Sequence, residues 1–282
     1  MAISINKLSD ALGAEVVGLD LRDGVSEAVR GRLTEAFMEH HLLCIRSIPL
    51  SSIEFTALAR QFGDPQLQLL RDQRVEDAPE VSVLESTYKT AKEKPDDLTR
   101  VRLSGWHTDD SYFEVPAKAT MLQGLAIPTS GGETRFCNTR RAYDDLPGDI
   151  RDKIDTRQAV HAYDTSRATA RAQTLNAQEV KETKEVVHPL VRTHEESGKR
   201  AIYFNPNRTD HVVDMPRVES DALLDDLHDR ITKPEYQYHH AWTRGDILLW
   251  DNRCLVHSVN VDYPVGQERR HQRILLKGTR PI

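Results

Sequence analysis

Two residues of metal-binding type lie two positions apart in the segment Trp106–Tyr112, which reads WHTDDSY. They are His107 and Asp109. In a β-strand, side chains at positions i and i+2 leave the same face. A strand here would therefore aim an imidazole nitrogen and a carboxylate oxygen at one point. Structural hydrogen bonds between histidine and aspartate are also common, so the pair alone does not establish a metal site.

A third residue of this kind, His257, follows the apolar run Ile247–Trp250 far downstream. Antiparallel closure of a β-barrel would bring this run beside the first pair. Two histidines and one carboxylate on one face of a metal leave its other face open, which is typical of non-haem Fe(II) oxygenases. The same donors also suit a zinc hydrolase, which likewise keeps an open position.

Composition limits the class of protein. The chain has 282 residues, of which 38% are hydrophobic and 29% charged, as expected for one large domain with a buried core. A net charge of −6 without a basic block argues against a nucleic-acid partner. No apolar run approaches the roughly 20 residues that span a bilayer, and the N-terminus lacks the apolar core of a signal peptide. We expect a cytoplasmic protein with neither nucleic-acid nor membrane partners.

The predicted elements are about a dozen short strands and a few helices, most of them early in the chain. Residues 25–41 and 51–63 have apolar positions at helical spacing, and Ser51 with Glu54 forms a capping-box pattern. The strands do not alternate regularly with helices, which disfavours a doubly wound parallel sheet. We predict a mainly β fold with flanking helices, a double-stranded β-helix or jelly roll.

We expect this fold to form a single domain over residues 1–282. Residues 87–102 are charged and contain proline, which predicts a surface loop. The polar segment at about 164–187 has few apolar anchors and is our candidate for a mobile lid.

Several longer motifs are similar to one family. The chain contains, in this order, LGAEVVGLDL, ALARQFGD, WHTDDSYFEVPA, PTSGGETRF, HPLVRTH, ITKPEYQ and GDILLWDNRCLVH. It resembles the Fe(II)/2-oxoglutarate-dependent dioxygenases of the taurine dioxygenase and 2,4-dichlorophenoxyacetate dioxygenase (TauD/TfdA) type. The resemblance covers nearly the whole chain, and the WHTD, GGET and WDNR blocks are its most specific parts.

The resemblance implies roles for individual residues. It assigns Fe(II) to His107, Asp109 and His257, and it assigns the 2-oxoglutarate cosubstrate to Thr134, Arg273 and Trp250. For Trp250, plain core packing is an equal alternative. The segment after His257 is longer than the family pattern, so Arg269 and Arg270 remain alternatives to Arg273. We prefer Arg273 because the apolar residues that follow it would place it on a strand.

The substrate pocket departs from the family more strongly. By position, its residues are Gln68, Arg71, Asp110, Tyr112, Arg208 and Lys277. The three cations among them favour a small anionic substrate. Arg71 and Arg208 could instead lie on loops that face water, which is the usual place for arginine. We expect Lys277 to share a strand face with Arg273.

The resemblance also implies the reaction. O2 and 2-oxoglutarate are consumed, 2-oxoglutarate is decarboxylated to succinate, and a small molecule is hydroxylated. A C–heteroatom bond breaks where the hydroxylated carbon carries a sulfonate, ether or amine. The alternatives are a zinc hydrolase on the same residues and a non-catalytic jelly-roll binding module. Relatives are often dimers or tetramers, so a homo-oligomer is expected, and the sequence does not identify the primary substrate.

Overall fold

The structure is a computed structural model that describes residues 3–19, 21, 25–86, 105–168 and 174–282. The helices are Glu27–His40, Ser52–Ala59, Thr139–Asp144, Gly148–Ile154, Ala177–Glu182 and Arg217–Ile231, with 3-10 turns at Arg71–Gln73 and Pro234–Tyr236. The strands are β1 Ser4–Lys7, β2 Ala14–Val17, β3 Leu42–Ile45, β4 Pro65–Gln66, β5 Arg74–Val75, β6 Ala78–Glu85, β7 Ala119–Ala126, β8 Thr134–Asn138, β9 Gln158–His161, β10 Val186–Pro189, β11 Val191–Thr193, β12 Arg200–Ile202, β13 Thr209–Val212, β14 Gln237–His240, β15 Ile247–Asp251, β16 Leu255–Val259 and β17 Arg270–Leu276. None of the described helices is both long and apolar enough to cross a membrane.

Most of these strands form two sheets that pack against each other. The larger sheet has the order β1-β2-β3-β15-β7-β17-β6-β5, with β4 added beside β17, and the smaller has the order β14-β8-β16. One apolar cluster combines Leu122 and Leu248 of the larger sheet with Phe136 and Leu255 of the smaller, so it lies between them. The predicted jelly roll is therefore confirmed.

Strand β15 has apolar residues on both faces because the larger sheet is covered by helices on one side and by the smaller sheet on the other. Ile247 and Leu249 join a cluster with the helices Glu27–His40 and Ser52–Ala59, outside the larger sheet. Leu248 joins the cluster between the sheets. Because side chains alternate along a strand and both faces are covered, all five residues of β15 are buried.

The predicted elements agree with much of this architecture. The predicted Ser51–Glu54 capping box is confirmed. Pro147–Gly148 separates the helices Thr139–Asp144 and Gly148–Ile154, and β11 and β12 form a hairpin. The predicted loop 87–102 lies outside the described residues. Of the candidate lid, residues 169–173 are also outside them, and the helix Ala177–Glu182 is its one described helix.

The turn between β15 and β16 is held by buried charges. The Asp251 carboxylate accepts hydrogen bonds from Arg253 Nε and Nη2, both at 2.8 Å, and bonds His194 Nε2 at 2.9 Å. Burial alone would raise the pKa of Asp251, but the Arg253 charge and the His194 bond hold it well below its usual range. The turn that leads into β16 is thus fixed by a satisfied buried ion pair.

We predict that Asp251→Asn lowers the free energy of unfolding by about 3–5 kcal/mol at neutral pH, because Arg253 loses its nearest counter-charge and keeps only the longer pairs with Glu195 and Glu196. A depressed carboxyl pKa stabilises the fold above the unfolded pKa of about 3.9, and this contribution is lost as the pH falls below it. The difference between wild type and variant should therefore shrink towards pH 3. Urea unfolding at several pH values measures this, with the exposed Asp152→Asn as a control. Equal stability of Asp251→Asn and wild type at pH 7 would contradict the prediction.

Candidate metal centre and its pocket

His107 and His257 face each other across a reciprocal pair of backbone hydrogen bonds. His107 N donates to His257 O at 2.9 Å, and His257 N donates to His107 O at 2.7 Å. Directly opposed residues in an antiparallel pair project their side chains from the same face. The ring centroids are accordingly 4.1 Å apart. The backbone pairing alone thus brings the two imidazoles together.

The local structure around His107 differs from the predicted strand. His107 forms an isolated bridge, and Asp109 lies in the turn that follows. His257 lies in the middle of β16, whereas the sequence placed it at the end of the apolar run before it. The predicted strand was wrong, but a turn after the bridge still brings the carboxylate to the imidazoles.

The Asp109 carboxylate lies between the two rings. Its Oδ1 is 3.8 Å from His107 Nε2, and its Oδ2 is 3.9 Å from His257 Nε2. One ligand atom from each residue lies within 4.8 Å of the others. Small shifts of these side chains would bring all three donors to a shared ion at about 2.1 Å, as metal ligation requires.

A chain of buried hydrogen bonds orients Asp109. Trp250 Nε1 donates to Asn252 Oδ1 at 2.9 Å, and Asn252 Nδ2 donates to Thr120 Oγ1 at 2.8 Å. Because Asn252 Nδ2 can only donate, the single hydroxyl hydrogen of Thr120 is directed to Asp109 Oδ2 at 2.6 Å. Thr120 and Asn252 position a candidate metal ligand, and the sequence analysis missed both, although Asn252 lies within the WDNR block.

The protonation states suit a divalent metal. The Nδ1 of His107 bonds Gly105 O at 2.7 Å, so Nδ1 carries the hydrogen and Nε2 offers its lone pair. Burial lowers the pKa of His107 and lowers that of His257 to about 3, so both rings are neutral near pH 7. Burial alone would raise the pKa of Asp109, but His257, Arg273 and His107 hold it at about 2. Neutral imidazoles and a carboxylate are the forms that bind metal.

Two other buried groups of potential ligands occur in the described residues, and both are engaged elsewhere. They are His41 with Asp251 and Cys254, and Cys44 with His240 and Asp246. The Asp251 carboxylate is bound by Arg253, and Arg46 Nη1 lies 2.6 Å from Asp246 Oδ2. Of the three groups in the described part of the chain, one fits a metal with an open face. It consists of His107, Asp109 and His257.

The open side of this centre is a cavity of about 340 Å³. Its lining residues are Gln68, Leu69, Leu70, Gln73, Leu84, His107, Thr108, Asp109, Asp110, Tyr112, Tyr163, Asn205, Asn207, Arg208 and Arg273. Of the predicted substrate residues, the cavity brings together Gln68, Asp110, Tyr112 and Arg208. Tyr163 and Asn205 also line the cavity. No motif or spacing in the sequence indicated that they would.

The predicted cosubstrate arginine, Arg273, opens onto this cavity. Its Nη1 is 3.6 Å from Asp109 Oδ1, and its Nη2 donates to Gln68 Oε1 at 2.9 Å. The alternative Arg269 is buried and lies elsewhere: its Nε and Nη2 donate to Gly132 O at 3.2 and 3.1 Å. The other alternative, Arg270, is exposed and pairs with Glu268 at 3.2 Å. The three arginines therefore occupy three distinct environments.

Thr134 and Trp250 are buried but do not line the cavity. Thr134 Oγ1 accepts a hydrogen bond from Trp242 Nε1 at 2.9 Å. The Trp250 ring packs 4.8 Å from the His257 ring and 5.3 Å from the Phe136 ring. In the structure Trp250 therefore packs against the candidate ligand His257 and the core.

Two predicted pocket cations are not brought to the cavity. Strand β17 ends at Leu276, so Lys277 lies beyond the alternating pattern and its side chain is exposed. The prediction that Lys277 shares a face with Arg273 is corrected accordingly. Arg71 instead binds the described helix of the candidate lid: its Nη2 donates to Glu182 Oε1 at 2.7 Å, and its backbone N donates to Glu179 Oε1 at 3.1 Å.

The remaining cavity wall combines a carboxylate with a stacked arginine. Asp110 has φ +58° and accepts hydrogen bonds from Tyr112 Oη at 3.1 Å and Gln66 Nε2 at 2.6 Å. Burial, together with the charge of Asp109, raises the pKa of Asp110 to about 6. The Arg208 guanidinium lies 4.6 Å from the Tyr163 ring centroid and 5.7 Å from that of Tyr112.

The comparisons with known proteins all indicate one family. Residues 4–275 match the family described as "Taurine catabolism dioxygenase TauD, TfdA family". The chain is 30% identical to the alpha-ketoglutarate-dependent 2,4-dichlorophenoxyacetate dioxygenase of Cupriavidus pinatubonensis, over 91% of this chain and 92% of that protein. It is 31% identical to the (S)-phenoxypropionate/alpha-ketoglutarate-dioxygenase of Sphingobium herbicidovorans, over 91% of this chain and 89% of that protein.

Solved structures agree with these matches. A putative alpha-ketoglutarate-dependent taurine dioxygenase from Burkholderia xenovorans superimposes with a TM-score of 0.85 at 28% identity, covering 100% of this chain and 91% of that one. AAD-2 in complex with Mn(II) and N-oxalylglycine superimposes with a TM-score of 0.81 at 26% identity, covering 100% of this chain and 99% of that one.

We predict that Thr120→Val weakens metal binding about 10- to 100-fold, because Asp109 loses the hydroxyl that orients it and Asn252 loses its acceptor. Thr120→Ser keeps the hydroxyl and should bind the metal nearly as wild type does. Anaerobic calorimetric titration with Mn(II) measures the affinity. Wild-type affinity in Thr120→Val would contradict the role assigned to this hydrogen bond.

Proposed function

Because this chain belongs to the TauD/TfdA family and is a 2-oxoglutarate-dependent dioxygenase, we propose that it hydroxylates a small anionic organic substrate at an Fe(II) centre held by His107, Asp109 and His257. The observation that carries the proposal is the position of these three side chains, which converge at one end of a cavity that also contains Arg273 and Arg208. Relatives named for phenoxyacetate and phenoxypropionate substrates, both carboxylates, support the anionic class.

The donor set fits Fe(II) and leaves one face for other ligands. When bound there, Fe(II) supplies the oxidising chemistry that couples decarboxylation of 2-oxoglutarate to hydroxylation of the substrate with O2. The protein's own contribution is positional. The chain from Trp250 through Asn252 and Thr120 holds the Asp109 carboxylate, and the His107–His257 backbone pair holds the imidazoles.

For the far carboxylate of 2-oxoglutarate, we favour Arg269 over Arg273. We assign Arg269 and Thr134 to the same carboxylate because Arg269 is buried against Gly132 O, two residues before Thr134. Because Trp242 donates to Thr134 Oγ1, the hydroxyl hydrogen of Thr134 is available for a carboxylate oxygen. Arg269 and Arg273 are four residues apart, and the pairing of β17 continues to Arg269, because Ser86 N donates to Arg269 O at 3.0 Å, so both lie on one face.

This assignment gives Arg273 a different role. Its guanidinium lies beside Asp109 and opens onto the cavity, where it meets the anionic group of the substrate. Arg208 lies on another wall of the same cavity. Gln68 and the ring of Tyr112 complete the contacts that we assign to the substrate. Cytoplasmic location and a dimer or tetramer remain predictions.

The activity itself is tested by succinate formation. We predict that the Fe(II)-loaded enzyme converts 2-oxoglutarate to succinate under air, and that a substrate from a panel of sulfonates, phenoxy acids, alkyl sulfates and amino acids stimulates the rate. His107→Ala, which removes one metal ligand, should abolish the reaction. Succinate formation at the wild-type rate by His107→Ala, or by zinc-loaded wild type, would contradict the proposal.

The roles of the three arginines predict separate kinetic effects. Arg269→Ala should raise the KM for 2-oxoglutarate about 10- to 100-fold, because a charge-assisted pair is lost. Arg273→Ala should raise mainly the KM for the primary substrate. Arg270→Ala is the matched control, because this neighbour is exposed and should change neither value. A large increase in the 2-oxoglutarate KM in Arg273→Ala but not in Arg269→Ala would reverse the assignment.

A further inference from the structure

A buried histidine, His271, lies between the two arginines that we assign to anions. It belongs to β17, two residues after Arg269 and two before Arg273. Side chains alternate along a strand, and Ile274 joins the apolar cluster with the helices outside the larger sheet. His271 therefore points the other way, toward the smaller sheet, from the same face as both arginines.

The surroundings of His271 are those of the proposed cosubstrate site. Its ring centroid is 4.6 Å from that of Trp242, and the two rings are inclined by 72°. Trp242 Nε1 in turn donates to Thr134 Oγ1, the hydroxyl that we assign to the far carboxylate of 2-oxoglutarate. Gly124 lies directly opposite His271 in β7, and a Cβ atom there would lie 3.3 Å from Trp242 Cε3. The glycine therefore leaves the space in which the indole packs against His271.

Both ring nitrogens of His271 are buried, and neither has a hydrogen-bond partner in the part of the chain that the structure describes. Burial lowers the pKa of His271 well below its usual range, and the charge of Arg269 lowers it further, so the ring is neutral near pH 7. A neutral imidazole carries one N–H donor and one acceptor lone pair. Buried donors without a partner are rare and unfavourable, so this N–H requires a partner from outside the chain.

We propose that His271 is a further binding residue for the cosubstrate and donates its ring N–H to the far carboxylate of 2-oxoglutarate, beside Thr134 and Arg269. A carboxylate suits this position, because hydrogen bonds to a charged acceptor are stronger than those to a neutral one. The inference rests on the proposed function, because it takes the space beside Thr134 as the cosubstrate site. It does not depend on the choice between Arg269 and Arg273, because His271 is two residues from each.

A histidine that serves only the fold, or that bonds only a buried water, makes a different prediction. His271→Leu keeps an apolar side chain in contact with Trp242 and removes both ring nitrogens. If those nitrogens have no ligand, the variant binds the cosubstrate as wild type does. If one of them contacts the far carboxylate, affinity falls only for ligands that carry that carboxylate.

The experiment measures binding without turnover. The full chain is loaded with Mn(II) and titrated calorimetrically, without O2, with N-oxalylglycine and with oxalate. Both ligands chelate a metal, but only N-oxalylglycine carries the far carboxylate. His271→Leu should bind N-oxalylglycine about tenfold more weakly than wild type and should bind oxalate equally well. His239→Leu, which removes an exposed histidine, should match wild type for both ligands.

Restoring a donor gives a second readout. His271→Asn and His271→Gln each place an amide N–H near the position of one ring nitrogen. At least one of these variants should bind N-oxalylglycine more tightly than His271→Leu does. Packing alone predicts no such gain, because an amide fills the apolar contact with Trp242 less well than leucine.

Three results would overturn the inference. The first is wild-type affinity for N-oxalylglycine in His271→Leu. The second is an equal loss of affinity for N-oxalylglycine and oxalate in that variant, which would place the effect at the metal or in the fold. The third is the failure of both amide variants to recover affinity. Failure of the proposed function is distinguishable from all three, because wild type itself would then not bind N-oxalylglycine after Mn(II) loading.

Discussion

The reciprocal backbone hydrogen bonds between His107 and His257 are the constraint on which the site depends. They join a segment from the middle of the chain to a strand near its end, and they fix two imidazoles on one face. The pairing is reinforced nearby, because Thr108 Oγ1 donates to Asn252 O at 2.7 Å and Asn205 Nδ2 donates to Thr108 O at 2.7 Å. A metal site built in this way is positioned by the backbone before any ion binds.

The charges around the site form three layers that differ in the source of their counter-charge. Asp251 and Arg253 are buried and hold the turn into β16. Asp109 is held by Thr120, and its proposed counter-charge is the metal ion. Arg208 lies at the cavity, where its counter-charge can come from a ligand. One physical rule applies to all three layers: a buried charge needs a partner. Where the chain supplies that partner the residue is structural, and where a ligand supplies it the residue is functional.

The sequence predicted that His107, Asp109 and His257 lie together because the residue types themselves carry the signal. It misjudged their local structure, since a single bridge followed by a turn has no periodicity to detect. It missed Thr120, whose role depends on the register that places it opposite Trp250 and Leu275 in neighbouring strands. A threonine within a strand has no local feature that reveals its partners.

The arginines show a second limit of sequence reasoning. Alternation along β17 places Arg273 on the inner side, but extending that alternation past Leu276 gave a wrong position for Lys277. Arg71 was assigned to the pocket by position, whereas its ion pair with Glu182 depends on a helix more than a hundred residues later. Long-range ion pairs of this kind follow from the packing of whole elements, and no local pattern predicts them.

The central claim is that His107, Asp109 and His257 hold the metal whose open face receives 2-oxoglutarate. The most direct measurement is anomalous X-ray diffraction from crystals grown with Mn(II) and N-oxalylglycine. The account predicts one strong manganese peak among these three side chains, with the analogue chelating the metal and its far carboxylate against Thr134 and Arg269. A peak at His41, Asp251 and Cys254, at Cys44, His240 and Asp246, or nowhere in the protein would contradict it.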